Sequence, residues 1–205
     1  MRELPPRFVI AAPQGRSGKT TAAIAIGRGL AGRGLKVRPF KKGPDFIDPS
    51  WLSAACGRTC YNLDAFLMGE ERVVRSFAGR CDGVDVAMVE GAMGLFDGAG
   101  PGDRGTTTAL ARSLGAPVIL VVNASRMTRS IAAMVGGYQH FEPETHIAGV
   151  VLNHVAGSRH EAKLTAALRE HCGIPVLGCL PKEGTGRMAE RHLGLVPVKE
   201  DEQAE

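Results

Sequence analysis

The chain has 205 residues, 44% hydrophobic and 22% charged, with a formal net charge of +4. That length suits one α/β domain and is short for two; with no apolar run near the ~20 residues that span a bilayer and no signal-peptide core at Met1–Arg7, the expectation is a soluble, cytoplasmic protein without a membrane partner. The basic residues are scattered, which argues for small anionic ligands and against nucleic acid, and Cys56, Cys60, Cys81, Cys172 and Cys179 show neither zinc-site spacing nor disulfide density, so idle thiols are expected.

In chain order, an apolar run predicts a strand over 7–12 and a helical pattern predicts a helix over 19–32, in which Ala22, Ala23, Ile26 and Leu30 share a face. Between them lies Pro13-Gln-Gly-Arg-Ser-Gly-Lys-Thr-Thr21, the form of a phosphate-binding loop, with Pro13 where the strict pattern has Gly. Strand, turn and helix bring backbone N–H groups and the positive helix end onto phosphates. The ATP-binding set is thus Gln14, Gly15, Arg16, Ser17, Gly18, Lys19, Thr20 and Thr21, with Lys19 on the outer phosphates and the Thr20 hydroxyl on magnesium.

A second strand is predicted over 36–40. The segment 41–68 that follows has no clear period and is rich in Gly, Pro and Asp, so it reads as a long functional loop. Then come a helix near 69–78, a strand over 84–89, a Gly-rich loop over 91–105 and a helix over 105–114 beginning in Arg104-Gly-Thr-Thr-Thr108. Strands over 117–122, 147–152 and 175–179 and helices over 127–138 and 160–171 complete the pattern, with Gly34, Gly115 and Gly173 as helix stops. Short continuous apolar runs separated by helices predict a doubly wound, mainly parallel α/β sheet of the P-loop NTPase type. The predicted domain covers 1–197, and the charged tail 198–205 reads as frayed or as the start of a linker.

Ligands of open α/β sheets sit beyond the carboxyl ends of the strands. There the chain carries Lys41-Lys-Gly-Pro-Asp-Phe-Ile-Asp-Pro49 and Glu90-Gly-Ala-Met-Gly-Leu-Phe-Asp-Gly98, which put Asp45, Asp48, Glu90 and Asp97 around the loop. Magnesium takes hard oxygen ligands, and Thr20, Asp45 and Glu90 fit that need. Asp45 and Asp48 also suit ordinary turn chemistry. Lys41 is positioned to neutralise moving phosphate charge. The start of the helix over 105–114 is either an anion site or a capping cluster. Phe46, Trp51, Tyr61, Phe66 and Phe96 all fall in 41–68 and 91–105, which suggests an apolar ligand face.

The blocks Ala11-Ala-Pro13, Gly18-Lys-Thr-Thr21, Lys42-Gly-Pro-Asp-Phe-Ile-Asp-Pro49, Asn62-Leu-Asp64, Val89-Glu-Gly-Ala-Met-Gly-Leu-Phe-Asp-Gly98, Gly173-Ile-Pro-Val-Leu-Gly178 and Arg191-His-Leu-Gly-Leu-Val-Pro197 resemble the synthetase half of the cobyrinic acid a,c-diamide synthase family over about 7–197. The resemblance implies ATP- and magnesium-dependent amidation of acetate side chains of a tetrapyrrole polycarboxylate through an acyl phosphate, with ammonia from glutamine. It implies magnesium on Thr20, Asp45 and Glu90, catalytic roles for Lys19 and Lys41, and positioning of the acceptor carboxylate or ammonia by Asp48 and Asp97.

Three departures, Leu52 where His is frequent, Lys42 where an apolar residue is frequent and Asn123 where Asp is frequent, tilt the expected acceptor toward sirohydrochlorin, its nickel form or sirohaem. The glutaminase region of the family has no counterpart here, since no cysteine has nucleophile surroundings; an excised domain, a glutaminase subunit and free ammonia are the alternatives, and a homodimer is plausible. Two rival readings share the fold. A dethiobiotin-synthetase-like ligase leaves the Gly-Pro-Asp-Phe-Ile-Asp-Pro block unexplained, and a partitioning-type ATPase switch needs a lysine where Gln14 stands.

Overall fold

The computed structural model describes residues 4–100 and 102–182 and the backbone of 190–191 and 194–195. The tail 198–205 and most of the block 191–197 lie outside the described residues.

The main sheet has seven strands: β1 (Arg7–Ala11), β2 (Val37–Lys42), β3 (Tyr61–Leu63), β4 (Val86–Glu90), β5 (Val118–Asn123), β6 (Ile147–Val155) and β7 (Val176–Pro181). Their order is β3-β2-β4-β1-β5-β6-β7, and every adjacent pair is parallel. A separate antiparallel pair joins β8 (Glu190–Arg191) to β9 (Gly194–Leu195). The helices are α1 (Lys19–Gly32), α2 (Asp48–Cys56), α3 (Ala65–Met68), α4 (Glu70–Arg80), α5 (Thr107–Ser113), α6 (Ser130–Phe141) and α7 (Ser158–Cys172).

The strands are apolar on both faces because both are covered. Val9 and Ala11 point into one core with Phe40, Phe77 and Leu120, roofed by α4 to α7. Ile10 and Ala12 point the other way, into a core with Ala22, Ala23, Leu52 and Met88 from α1, α2 and β4. Phe40 and Phe77 are fully buried with ring centroids 4.8 Å apart, and truncating either to alanine would cost about 3–5 kcal/mol. Gly27 lets α1 lie close to its neighbours, since a Cβ there would fall 2.7 Å from Cys56 Sγ and 3.1 Å from Met88 Cε.

All six predicted strands and five predicted helices are present, and Gly34, Gly115 and Gly173 follow helix ends at φ 85°, 56° and 60°. The segment 41–68 departs from expectation, for it holds α2, β3 and α3. Each is too short to show a period, and α2 begins at Asp48-Pro49, which reads as a breaker although proline is well suited to a first helical turn.

Candidate nucleotide-binding site

At the end of β1 the chain turns through 12–18 and enters α1 at Lys19. Gly18 caps α1 in the left-handed region at φ 87° and brings no side-chain hydrogen bond, so the first amides of the helix are left to a ligand. No larger residue fits there, because a Cβ would lie 2.1 Å from Asn153 Nδ2. The Asn153 amide, at the carboxyl end of β6, donates to Ser17 O over 3.0 Å. Arg16 also adopts positive φ, at 57°. Thr21 lies in the first turn of α1. The buried Lys19 donates to Met93 O over 2.7 Å and to Gln14 O over 3.5 Å, which aims its ammonium across the mouth of the loop.

The acids assemble beside it. Thr20 Oγ1 donates to Glu90 Oε1 over 2.6 Å, with Asp48 Oδ2 at 3.5 Å. The Lys41 ammonium lies 2.6 Å from Asp48 Oδ2 and 3.2 Å from Glu90 Oε1, and it donates to Gly91 O over 3.2 Å. Burial pushes the Glu90 carboxyl above the usual range against the opposing pull of Lys41. Burial also works against the Lys41 ammonium, but Glu90 and Asp48 outweigh it and hold its pKa above the ordinary lysine value. Lys19 goes the other way, lowered first by burial and next by Lys41. Lys42, half-buried, is lowered by burial.

Asp45 stands one step outside this cluster. Its Oδ1 accepts from the amides of Ile47 and Asp48 at 2.8 and 3.2 Å, the turn chemistry of a loop aspartate, and its Oδ2 is 4.0 Å from Lys41 Nζ. Asp97 Oδ2 accepts from the Gly94 amide at 3.0 Å and so braces the loop 91–98. The geometry therefore groups Thr20, Asp48, Glu90 and Lys41 most tightly, with Asp45 and Asp97 shaping the two loops around them.

Whether this set suits magnesium turns on Glu90 Oε2, a buried oxygen that has no hydrogen-bond partner. An open carboxylate oxygen beside a threonine hydroxyl and a second carboxylate is a hard-oxygen donor set of the kind magnesium takes, and the residues fit. The cysteines fit no such role: Cys56, Cys60 and Cys81 are free and buried, and burial pushes the Cys56 and Cys81 thiols up to about 11.

The aromatic residues separate into two groups. Trp51 is buried, Tyr61 lies 6.5 Å from Phe40 under the Arg80 guanidinium, and Phe96 stacks on Tyr138. Of the five aromatic residues in 41–68 and 91–105, Phe46 and Phe66 stay open, at 78% and 69% exposure. Asn62 Nδ2 ties the loop bearing Phe46 to β3 by donating to Gly43 O and Asp45 O. The start of α5 is a capping cluster: Thr106 Oγ1 accepts from the Ala109 amide at 3.0 Å. Asn153 and Tyr138 escaped the sequence reading, which looked for acids at strand ends; the same rule applied to β6 without regard to charge points to Asn153.

The sequence matches the CobQ/CobB/MinD/ParA nucleotide binding domain over residues 8–196. The chain belongs to that nucleotide-binding family. Within it, the chain is 47% identical over 199 residues to the cobyrinate a,c-diamide synthase of Magnetococcus marinus, covering 97% of this chain and 43% of the relative. It is 50% identical over 196 residues to the hydrogenobyrinate a,c-diamide synthase of Streptomyces coelicolor, covering 95% and 40%. The chain thus spans about two-fifths of the length of these curated relatives.

Solved structures share the fold of this CobQ/CobB/MinD/ParA domain. The chloroplast FtsY of Physcomitrella patens superposes with a TM-score of 0.61 at 19% identity, covering 90% of this chain and 61% of that one. A nucleotide-binding protein from Archaeoglobus fulgidus in complex with ADP gives 0.55 at 16%, covering 87% and 82%. The fold is that of a P-loop NTPase, and family and loop together make this a nucleotide-binding chain. No helix among the described residues is long and apolar enough to cross a membrane.

Proposed function

We propose that the chain is the ATP-dependent synthetase part of a cobyrinate or hydrogenobyrinate a,c-diamide synthase, a carbon–nitrogen ligase of tetrapyrrole biosynthesis. The observation that carries the reading is the meeting of Thr20, Asp48 and Glu90 around Lys41 at the lip of the phosphate loop. Amidation needs an activated acyl group, since a carboxylate is a poor electrophile. An acetate oxygen of the tetrapyrrole attacks the γ-phosphorus of ATP, the bond to the β–γ bridging oxygen breaks, and ADP leaves. Ammonia then attacks the acyl carbon, the carbon–oxygen bond to phosphate breaks, and the surplus proton passes to water.

The chain's own part in the first step is positioning and neutralisation of charge. Lys19 and the amides of 14–21 hold the phosphates, and Lys41 balances charge as the phosphoryl group crosses. Thr20 and Glu90, with Asp48 beside them and Asp45 behind, would hold magnesium, which supplies further neutralisation when bound. Asp48 and Asp97 orient the acceptor carboxylate or ammonia. Glutamine, hydrolysed by a glutaminase domain or subunit, is the proposed ammonia source, and the proposed setting is the cytoplasm.

A corrinoid acceptor is favoured over sirohydrochlorin because the curated relatives are named for cobyrinate and hydrogenobyrinate. The residues behind the opposite tilt have structural duties: Leu52 is fully buried, and Asn123 Oδ1 accepts from the Ser125 amide at 3.0 Å. Phe46 and Phe66 offer apolar contact to the macrocycle, and Lys42 precedes Phe46 in the same segment 41–68.

The test is phosphate release with magnesium-ATP and ammonium in the presence of cobyrinic acid, sirohydrochlorin or no acceptor, with mass spectrometry of the pigment. Phosphate release coupled to a loss of about one mass unit per amidated carboxyl of cobyrinic acid supports the reading. ATP turnover indifferent to every tetrapyrrole sinks it.

A further inference from the structure

Three consecutive carbonyls open the phosphate loop, and each is held. Ala12 O accepts from the Leu95 amide at 2.8 Å. Gln14 O accepts from Ser17 Oγ at 2.9 Å and from Lys19 at 3.5 Å. Pro13 O accepts from the Tyr138 hydroxyl at 2.8 Å. The bonds to Ala12 O and Gln14 O come from the loop itself or from the segment 91–98 that faces it. The bond to Pro13 O comes from α6, 125 residues along the chain.

The Tyr138 bond falls where the loop departs from its usual form, with proline in place of the first glycine. In a trans peptide the C=O and N–H point to opposite sides. Anchoring Pro13 O toward α6 therefore fixes the Gln14 N–H on the other side of the peptide plane. Tyr138 is itself fixed by the Phe96 ring, 5.3 Å away and inclined by 21°, and Phe96 in turn packs on Phe141 at 4.8 Å. The same carbonyl bounds the neighbouring loop, since a Cβ on Gly94 would lie 2.5 Å from Pro13 O. One tyrosine thus touches the phosphate loop through its hydroxyl and the loop after β4 through its ring.

We propose that Tyr138 is a positioning residue for nucleotide binding, holding the Pro13–Gln14 peptide in its phosphate-binding orientation and coupling it through Phe96 to the loop 91–98. The inference rests on the nucleotide-binding part of the proposed function and is independent of the tetrapyrrole. Tyr138→Phe removes the hydroxyl and keeps the ring. Losing one neutral hydrogen bond lowers the melting temperature by a few degrees at most, and the Pro13–Gln14 peptide, free to leave its phosphate-binding orientation, predicts about fivefold weaker magnesium-ATP binding by the folded chain. Because the bond acts equally on ground and transition states, KM for ATP rises with kcat preserved. In a cycle with Phe96→Leu, the double variant loses less affinity than the two single losses combined, as coupled residues do.

Calorimetric titration of the whole chain with magnesium-ATP separates the possibilities. Weaker binding by Tyr138→Phe, measured well below its melting transition, supports the proposal. Equal affinity, or a lower melting temperature with equal affinity, overturns it and leaves the nucleotide reading standing. Failure of the wild-type chain to bind ATP overturns both.

Discussion

The Thr20 hydroxyl donates to Glu90 Oε1 over 2.6 Å, joining the first turn of α1 to the last residue of β4. Strand pairing sets up this meeting, since Ile10 of β1 lies in register with Glu90, a few residues before the loop that delivers Thr20. Glu90→Gln keeps the shape of the side chain and removes its charge. ATP cleavage should fall by a factor on the order of 100 or more, as when a charge-stabilising group leaves a phosphoryl-transfer site. Circular dichroism should show an unaltered fold. A variant that cleaves ATP at the wild-type rate would remove Glu90 from the magnesium set.

Lys41 lies among carboxylates with its side chain 5% exposed. Lys41→Met leaves Asp48 and Glu90 facing each other without a cation, and breaking a buried pair in this way costs about 3–5 kcal/mol. The melting temperature should drop by several degrees in chelator and recover in part with magnesium, which takes over the neutralisation. No recovery with magnesium would place the metal elsewhere.

The Lys19 ammonium is lowered first by burial and then by Lys41. A bound polyphosphate favours the protonated form, so the bound pKa exceeds that of the free chain. Affinity for ATP is therefore full below the free-state pKa and declines as pH rises through it, and binding takes up a proton in that window. Calorimetry in buffers of different ionisation heat, stepped through the alkaline range, should register the uptake, and Lys19→Met should abolish it with most of the affinity. A pH-independent affinity in the alkaline range would contradict this account.

Phe46 stands open on a loop pinned to β3 by Asn62. Phe46→Ser should raise KM for the tetrapyrrole roughly tenfold, in line with loss of a buried aromatic contact of about 1.5 kcal/mol or somewhat less, without changing ATP affinity. An equal change in both substrates would show the loop to be structural.

Much of this architecture is readable from the chain, for a definite reason. Strands such as Val118–Asn123 are apolar runs bounded by turn residues, and helices such as α1 carry a clear period, so their type and order follow from local pattern. The segment 41–68 is not readable in that way, because α2, β3 and α3 are each stabilised by what they touch: Leu52 is buried against Met88 and Ala22, and Leu63 against Phe40 and Phe77. At the site, residue type together with loop and strand-end position single out Lys19, Thr20, Lys41 and Glu90 as candidates, and the fold brings Thr20 and Lys41 onto Glu90. Pattern cannot choose between Asp45 and Asp48, since both follow β2 and both suit a turn; the start of α2 brings Asp48 inward and leaves Asp45 binding amides. Tyr138 is beyond such reasoning altogether, because its bond to Pro13 joins α6 to a loop at the far end of the sequence.

The strand order has one further consequence. With β1 at the middle, the arm β4-β2-β3 ends in Glu90, Lys41 and Asp48, whereas the strands β5 and β6 of the other arm end near Asn123 and Asn153, which are neutral amides. The carboxylates of the cluster thus come from one bank of the sheet, with the phosphate loop on the watershed and Asn123 and Asn153 on the other side. In a scaffold so divided, the proposed acceptor would be exchanged by rewriting the outer segments that carry Phe46 and Phe66, while the phosphate loop at the centre stays as it is.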